Sequence, residues 1–332
     1  MRKFIYFCLL FPLFADAAPE TVRGSSGRRS RNRTEVNCHI AAAGRMTLSA
    51  IYGTCQAGQT MLPNASNERL PEDGVCAGTS SSDRDLRGLQ SLYNRRERNC
   101  GASKPPQYSQ SAPRMTYQRG VIDPAPNGKN DCSAFVSSIL HASGSRIRPN
   151  ETSFKAYTTA SIVGWGDGDD CFAIPKFTES TSLLPGDLIV GRRGRHGHVV
   201  MVDRVGADPF GLRKIGSIRQ CEQQPNFRDW DFTITESTGK TVNKRKIGPS
   251  IWDIKGSFRA SSRANANHIV RAYMDLWKSA CREKFGTSAT TKFSSGNYRS
   301  RLLRYQGASR AQCRNSNPPK LRGEQCVQSC KI

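Results

Sequence analysis

The chain has 332 residues, and its 50 Lys and Arg against 27 Asp and Glu give a formal net charge of +23. Beyond residue 17 no segment approaches the ~20 apolar residues that a membrane-crossing helix needs, which excludes membrane-embedded functions, and at this length one substantial domain with decorated ends, or two small ones, can form. So basic a surface attracts polyanions at long range (nucleic acid, anionic lipid or an acidic cell-wall polymer), with plain solubility as the simpler role.

Residues 1–17 read as a secretory signal peptide, with a basic start at Arg2 and Lys3, a short apolar core from Phe4 to Phe14, and the small-residue pattern Ala15-Asp16-Ala17. Export to a periplasmic or extracellular space is the expectation, with wall polymer then the best-placed polyanion. The stretch 18–37 is Arg, Ser and Gly with almost nothing apolar, and reads as a flexible basic arm. Residues 38–100 hold four cysteines and predict a small disulfide-tied cap that ends in a helix from Asp85 to Arg98. Residues 101–116, rich in Ser, Pro and Gln, read as a linker.

The core is expected over 117–260. Asp131 can cap a helix whose apolar positions Phe135, Val136, Ile139 and Leu140 recur at helical spacing until Gly144. The turn Leu184-Pro185-Gly186-Asp187 leads into a strand at Leu188-Ile189-Val190, a basic loop spans Gly191–Gly197, and a second strand runs over His198–Val205. A long loop with Cys221 precedes a third strand from Phe232 to Glu236. One helix with at least three strands predicts an α+β core. Residues 261–332 read as an extension: an amphipathic helix marked by Ile269, Tyr273, Leu276, Trp277 and Ala280, then a basic irregular segment from 286. No repeat of the solenoid or array kind is present.

Twelve cysteines are present, and removing Cys8 of the signal peptide leaves eleven. Disulfides consume thiols in pairs, so an odd count in an oxidising compartment leaves one over. Cys132 stands at a helix start, where a thiolate is favoured, and an imidazole at the head of the later strand offers a base. Clustering along the chain suggests bridges within 38–100, a Cys171–Cys221 bridge, and bridges within 281–330. Cys326 and Cys330 lack further ligands at metal spacing and read as disulfide partners, so no metal or cofactor is expected.

Three ordered segments, Asp131-Cys132-Ser133-Ala134-Phe135-Val136, Leu184-Pro185-Gly186-Asp187-Leu188 and Gly197-His198-Val199-Val200-Met201-Val202, resemble the NlpC/P60 cysteine peptidases. The resemblance covers about 117–240, and Thr158-Thr159-Ala160 lies where the family often has a Thr/Ser-Ala segment. It implies a papain-like α+β core and cleavage of peptidoglycan stem peptides, with Cys132 as nucleophile and His198 as base. The third member, which orients the imidazole, would lie on the next strand, and Glu236 takes that place with Asp203 and Asp231 as rivals. Ala134 stands where the family usually has Gly. Tyr117 lies farther from the cysteine than the tyrosine the family commonly uses near its oxyanion site.

Asp131 and Ser133 resemble substrate-pocket positions, although Asp131 serves equally as a helix cap. Arg195, in the loop Arg192-Arg193-Gly194-Arg195 before the base, would meet substrate carboxylates or phosphates, or stay solvated. His196 reads as a solvated loop residue, and His39, His141 and His268 as surface or packing residues. The related CHAP amidases share the fold and an acidic third residue, so a sugar–peptide amide or a cross-bridge is the alternative target. A non-catalytic cationic binding protein is the rival of another class. Peptidoglycan is the expected partner of a monomer, with no specific nucleic acid.

Overall fold

A computed structural model describes residues 38–48, 50–51, 107–111, 114–177, 183–242, 245–254, 268–307 and 310–322. The signal peptide, the basic arm, the helix expected from Asp85 to Arg98, and Cys326 and Cys330 lie outside the described residues. The molecule is a mixed α+β protein built on one large antiparallel sheet.

Four consecutive strands of the sheet are β6 (Leu188–Arg193), β7 (His196–Val205), β8 (Phe232–Val242) and β9 (Arg245–Asp253), each antiparallel to the next. The inner residues of β6 and β7 are apolar without alternation because both faces of the sheet are covered, whereas β8 alternates Phe232 and Ile234 with the buried Thr233 and Thr235. On one face Val190, Val199 and Met201 pack with Phe135, Val136 and Ile139 of the helix Cys132–Ala142. On the other Ile189, Val200, Val202 and Ile234 pack with Ile269, Tyr273, Leu276 and Trp277 of the helix His268–Lys284. Successive residues of a strand point to opposite faces, so a doubly covered strand needs apolar residues at every position.

Two segments outside the expected 117–260 core pack against the sheet. A first helix, α1, carries residues 38–48, and it reaches into the core. Ile40, Ala43 and Leu48 join the cluster around Phe135 and Ile139. Arg45 forks onto Asp203 of β7, with both contacts at 2.6 Å and both side chains buried. Gly44 is the close-approach point, since a Cβ there would stand 2.4 Å from the Met201 methyl.

The segment after 286 is likewise part of the sheet. Strands β10 (Lys292–Ser295) and β11 (Tyr298–Tyr305) form a hairpin, and β11 lies directly against β6. A short strand β5 (Phe172–Ala173) pairs with the end of β11. Its arginines disguise β11 as solvent-facing. Arg301 and Arg304 are in fact buried, with Arg304 forked onto the fully buried Asp187 at 2.9 and 2.7 Å and Arg301 bonded to Asp167 at 2.5 Å. Long basic side chains can bury their stems when the head finds a carboxylate.

The expected Cys171–Cys221 bridge is corrected: Cys171 pairs with Cys313 and Cys221 with Cys281. Cys171 lies in the cluster on one face of the sheet and Cys221 in the cluster on the other, so the sheet itself separates them. Cys38 is disulfide-bonded too.

Candidate active site

The helix of Cys132–Ala142, α2, starts where the sequence places it. Asp131 has extended backbone (φ −113°, ψ 177°), and its carboxylate accepts from the Ala134 N–H at 2.7 Å. Such a cap satisfies a donor that the first turn leaves free. The same carboxylate is gripped by Arg114, whose Nε reaches Oδ2 at 2.7 Å and whose second nitrogen reaches Oδ1 at 3.0 Å. Arg114 also bonds the Ser133 hydroxyl at 2.5 Å and the Tyr157 carbonyl at 3.2 Å. Asp131 and Ser133 are therefore both engaged within the protein, Ser133 donating to Asp131 as well at 3.0 Å. The turn that presents the cysteine is held as a unit.

Cys132 is the free cysteine among the described residues, and it is buried, at 3% exposure. His198 lies within hydrogen-bonding reach of its sulfur, and His198 Nε2 bonds Glu236 Oε2 at 2.5 Å. With Nε2 committed to the carboxylate, Nδ1 is the nitrogen left for the sulfur. Burial disfavours a charged imidazole, but the Cys132 charge and hydrogen bond, followed by those of Glu236, outweigh it and push His198 up to about 10. The protonated ring is thus the resting form across neutral pH.

The rivals of Glu236 are occupied elsewhere. Asp203 takes Arg45 and the Thr233 hydroxyl, and Asp231 takes Arg204 at 3.1 Å. His198 on β7 and Glu236 on β8 meet from neighbouring strands, close to the helix of His268–Lys284, whose first residue lies beside His198. That helix is labelled α4, after the short α3 (Thr159–Ile162). It backs the His–Glu pair with Tyr273, whose phenol is raised by burial and then by the Glu236 charge.

Besides Arg114, two residues here were not anticipated. Tyr108 sits on a two-residue strand, β1 (Gln107–Tyr108), parallel to β4 (Lys129–Asn130) just ahead of the cysteine. Its side chain meets the Cys132 sulfur and accepts from Gln110 at 3.2 Å, while burial and then the Cys132 charge raise its phenol. Tyr117, by contrast, is 44% exposed and packs on Phe154. Within a Ser/Pro/Gln-rich stretch nothing local marks Tyr108. His268 is the other: its ring hydrogen-bonds the Gly197 backbone beside His198, and burial, then the His198 and His196 charges, push it down to about 4.

Arg195 is not brought to the sulfur. It is exposed in the turn joining β6 and β7, one residue before the exposed His196. Among the described residues no group of three or more His, Cys, Asp or Glu side chains is placed to hold a metal ion. None of their helices is long and apolar enough to cross a membrane. The chain matches no family model, no curated protein and no solved structure.

Proposed function

We propose that this protein is an exported cysteine peptidase with a papain-like, NlpC/P60-type core that cleaves stem peptides of peptidoglycan. The observation that carries the reading is the chain of contacts from the free Cys132, at the start of α2, through His198 to Glu236. A structural cysteine needs neither a protonated imidazole nor a carboxylate behind that imidazole. A nucleophile needs both.

In the proposed reaction the Cys132 thiolate attacks the amide carbonyl carbon and the carbonyl π electrons move to oxygen. The oxyanion is met by backbone N–H groups at the α2 start and by the Tyr108 hydroxyl. His198 then passes its proton to the departing amine as the C–N bond breaks, which leaves a thioester. Water gives a proton to the now neutral imidazole while its oxygen attacks the thioester. Collapse of that adduct frees the new carboxyl and restores the thiolate–imidazolium pair. Glu236 holds the ring and its charge throughout. Asp131, Ser133 and Arg114 fix the turn that aims the sulfur.

A carboxylate as third member also fits a CHAP-type amidase acting on the sugar–peptide amide or a cross-bridge, and Glu236 is the observation that favours it. The two differ in the product. Purified peptidoglycan treated with the protein should yield stem peptides cut internally, with a new amine within the peptide, for the first reading, and free lactyl carboxyls with intact stem peptides, or cut cross-bridges, for the second, identified by mass spectrometry. Cys132→Ala should abolish that release while the variant keeps the parent's melting temperature to within a few degrees. Wall fragments released at the parent's rate by Cys132→Ala would end the hydrolase reading in either form.

A further inference from the structure

Several arginines of the described residues are neutralised within the protein. Arg45, Arg114, Arg204, Arg301 and Arg304 each pair with a carboxylate. Arg192, Arg193, Arg195 and Arg299 have no carboxylate partner among the described residues, and they lie at one end of the sheet, where β6 turns into β7 beside the start of β11. Arg192 stands opposite Arg299 across β6 and β11, and opposite Gly197 across β6 and β7. Residues directly opposite share a face at ~5 Å, and like charges so placed repel. Arg193, Arg195 and Arg299 are exposed. The Arg192 stem runs past Gly197, its Cγ 3.5 Å from where a Cβ would stand there, so this charge lies next to the residue that precedes His198.

Repulsive guanidinium groups held together without carboxylates are a surface that an anion would stabilise. We propose that the β6–β7 hairpin and Arg299 form a docking surface for peptidoglycan, taking the free carboxylates of stem peptides that neighbour the one presented to Cys132. Continuity with His198 favours that occupant over a separate polyanion. A strand of the wall held with one stem peptide at Cys132 offers carboxylates on either side of the bond to be cut. The bearing on turnover rests on the hydrolase reading, whereas the binding does not.

The test uses the full exported chain as Cys132→Ala, with and without Arg193→Gln, Arg195→Gln and Arg299→Gln together. Each is co-sedimented with sacculi stripped of secondary polymers, at low and high NaCl. The triple variant should bind about tenfold more weakly at low salt and show a flatter salt dependence, since exposed charge pairs contribute modestly and are screened. Sacculi whose carboxylates are blocked as amides should bind both proteins equally weakly. Unchanged binding by the triple variant overturns the proposal. So does an equal loss from neutralising Arg148, Arg213 and Arg219, exposed elsewhere on the molecule, because net charge alone then suffices. A loss confined to a short single-stranded oligonucleotide, with sacculus binding intact, also overturns it by giving the surface to nucleic acid. Cleavage by the parent with unchanged binding fails this inference alone, and binding that follows the prediction without any cleavage fails the hydrolase reading alone.

Discussion

Glu236 acts on one proton, and its effect is readable as a pH limb. Free histidine titrates near 6.5, and His198 in the folded protein is raised to about 10, in part by the Glu236 hydrogen bond and charge. The bound proton therefore stabilises the fold fully below about 6.5, and that contribution is lost as pH rises through about 10. In the proposed reaction the same loss removes the acid that would protonate the leaving amine. Glu236→Gln deletes a carboxylate charge, so the alkaline limb of the kcat/KM profile should move toward neutral pH and kcat should fall by ~10²-fold, a typical loss for a weakened acid–base group. An alkaline limb left in place would show that Glu236 does not govern the imidazole.

At the scale of elements, α2 and its cap form a local unit whose purpose divides two readings of Asp131. The carboxylate caps the helix and holds Arg114, while a pocket role would leave it reaching for substrate. Asp131→Ala removes a cap worth ~1 kcal/mol and leaves a half-buried guanidinium without its fork, a further ~1–3 kcal/mol. Thermal unfolding should therefore fall by several degrees, whether or not substrate is present. Unfolding unchanged from the parent would instead free Asp131 for the pocket. The short strand β1 belongs to the same scale. Two residues of parallel pairing with β4 carry Tyr108 to the sulfur, and no periodicity can be read from two residues.

For the whole molecule, the two described disulfides clamp opposite faces of one sheet. Cys171–Cys313 closes a separation of 142 residues and Cys221–Cys281 one of 60. Cross-links over such loops stabilise by about 3–5 kcal/mol each, chiefly through the unfolded chain. Cys221→Ser with Cys281→Ser should lower the midpoint of urea unfolding markedly, yet leave Cys132 as reactive toward iodoacetamide under native conditions as in the parent. Loss of that reactivity along with the bridge would mean that the bridge shapes the site as well as the fold. The N-terminal helix α1 and the strand β11 both return to the centre from distant sequence, which is why a boundary drawn by composition at 116 or 260 does not divide the structure.

What the amino-acid sequence determined by itself is local: the Asp131 cap and the start and end of α2, the doubly apolar strands β6 and β7, the odd thiol, and a histidine near the start of β7, a strand that begins two residues earlier than expected, at His196. Each is written in residues a few positions apart, where capping geometry and side-chain period leave direct traces. Tertiary structure alone decided that Glu236, rather than Asp203 or Asp231, meets His198, that Tyr108 reaches the sulfur, which cysteines pair, and that an arginine-rich tail supplies a central strand. Those outcomes depend on which face of the sheet each side chain shares with a distant partner. A buried arginine reads as solvated until the carboxylate that neutralises it, over a hundred residues away for Arg304 and Asp187, is brought alongside.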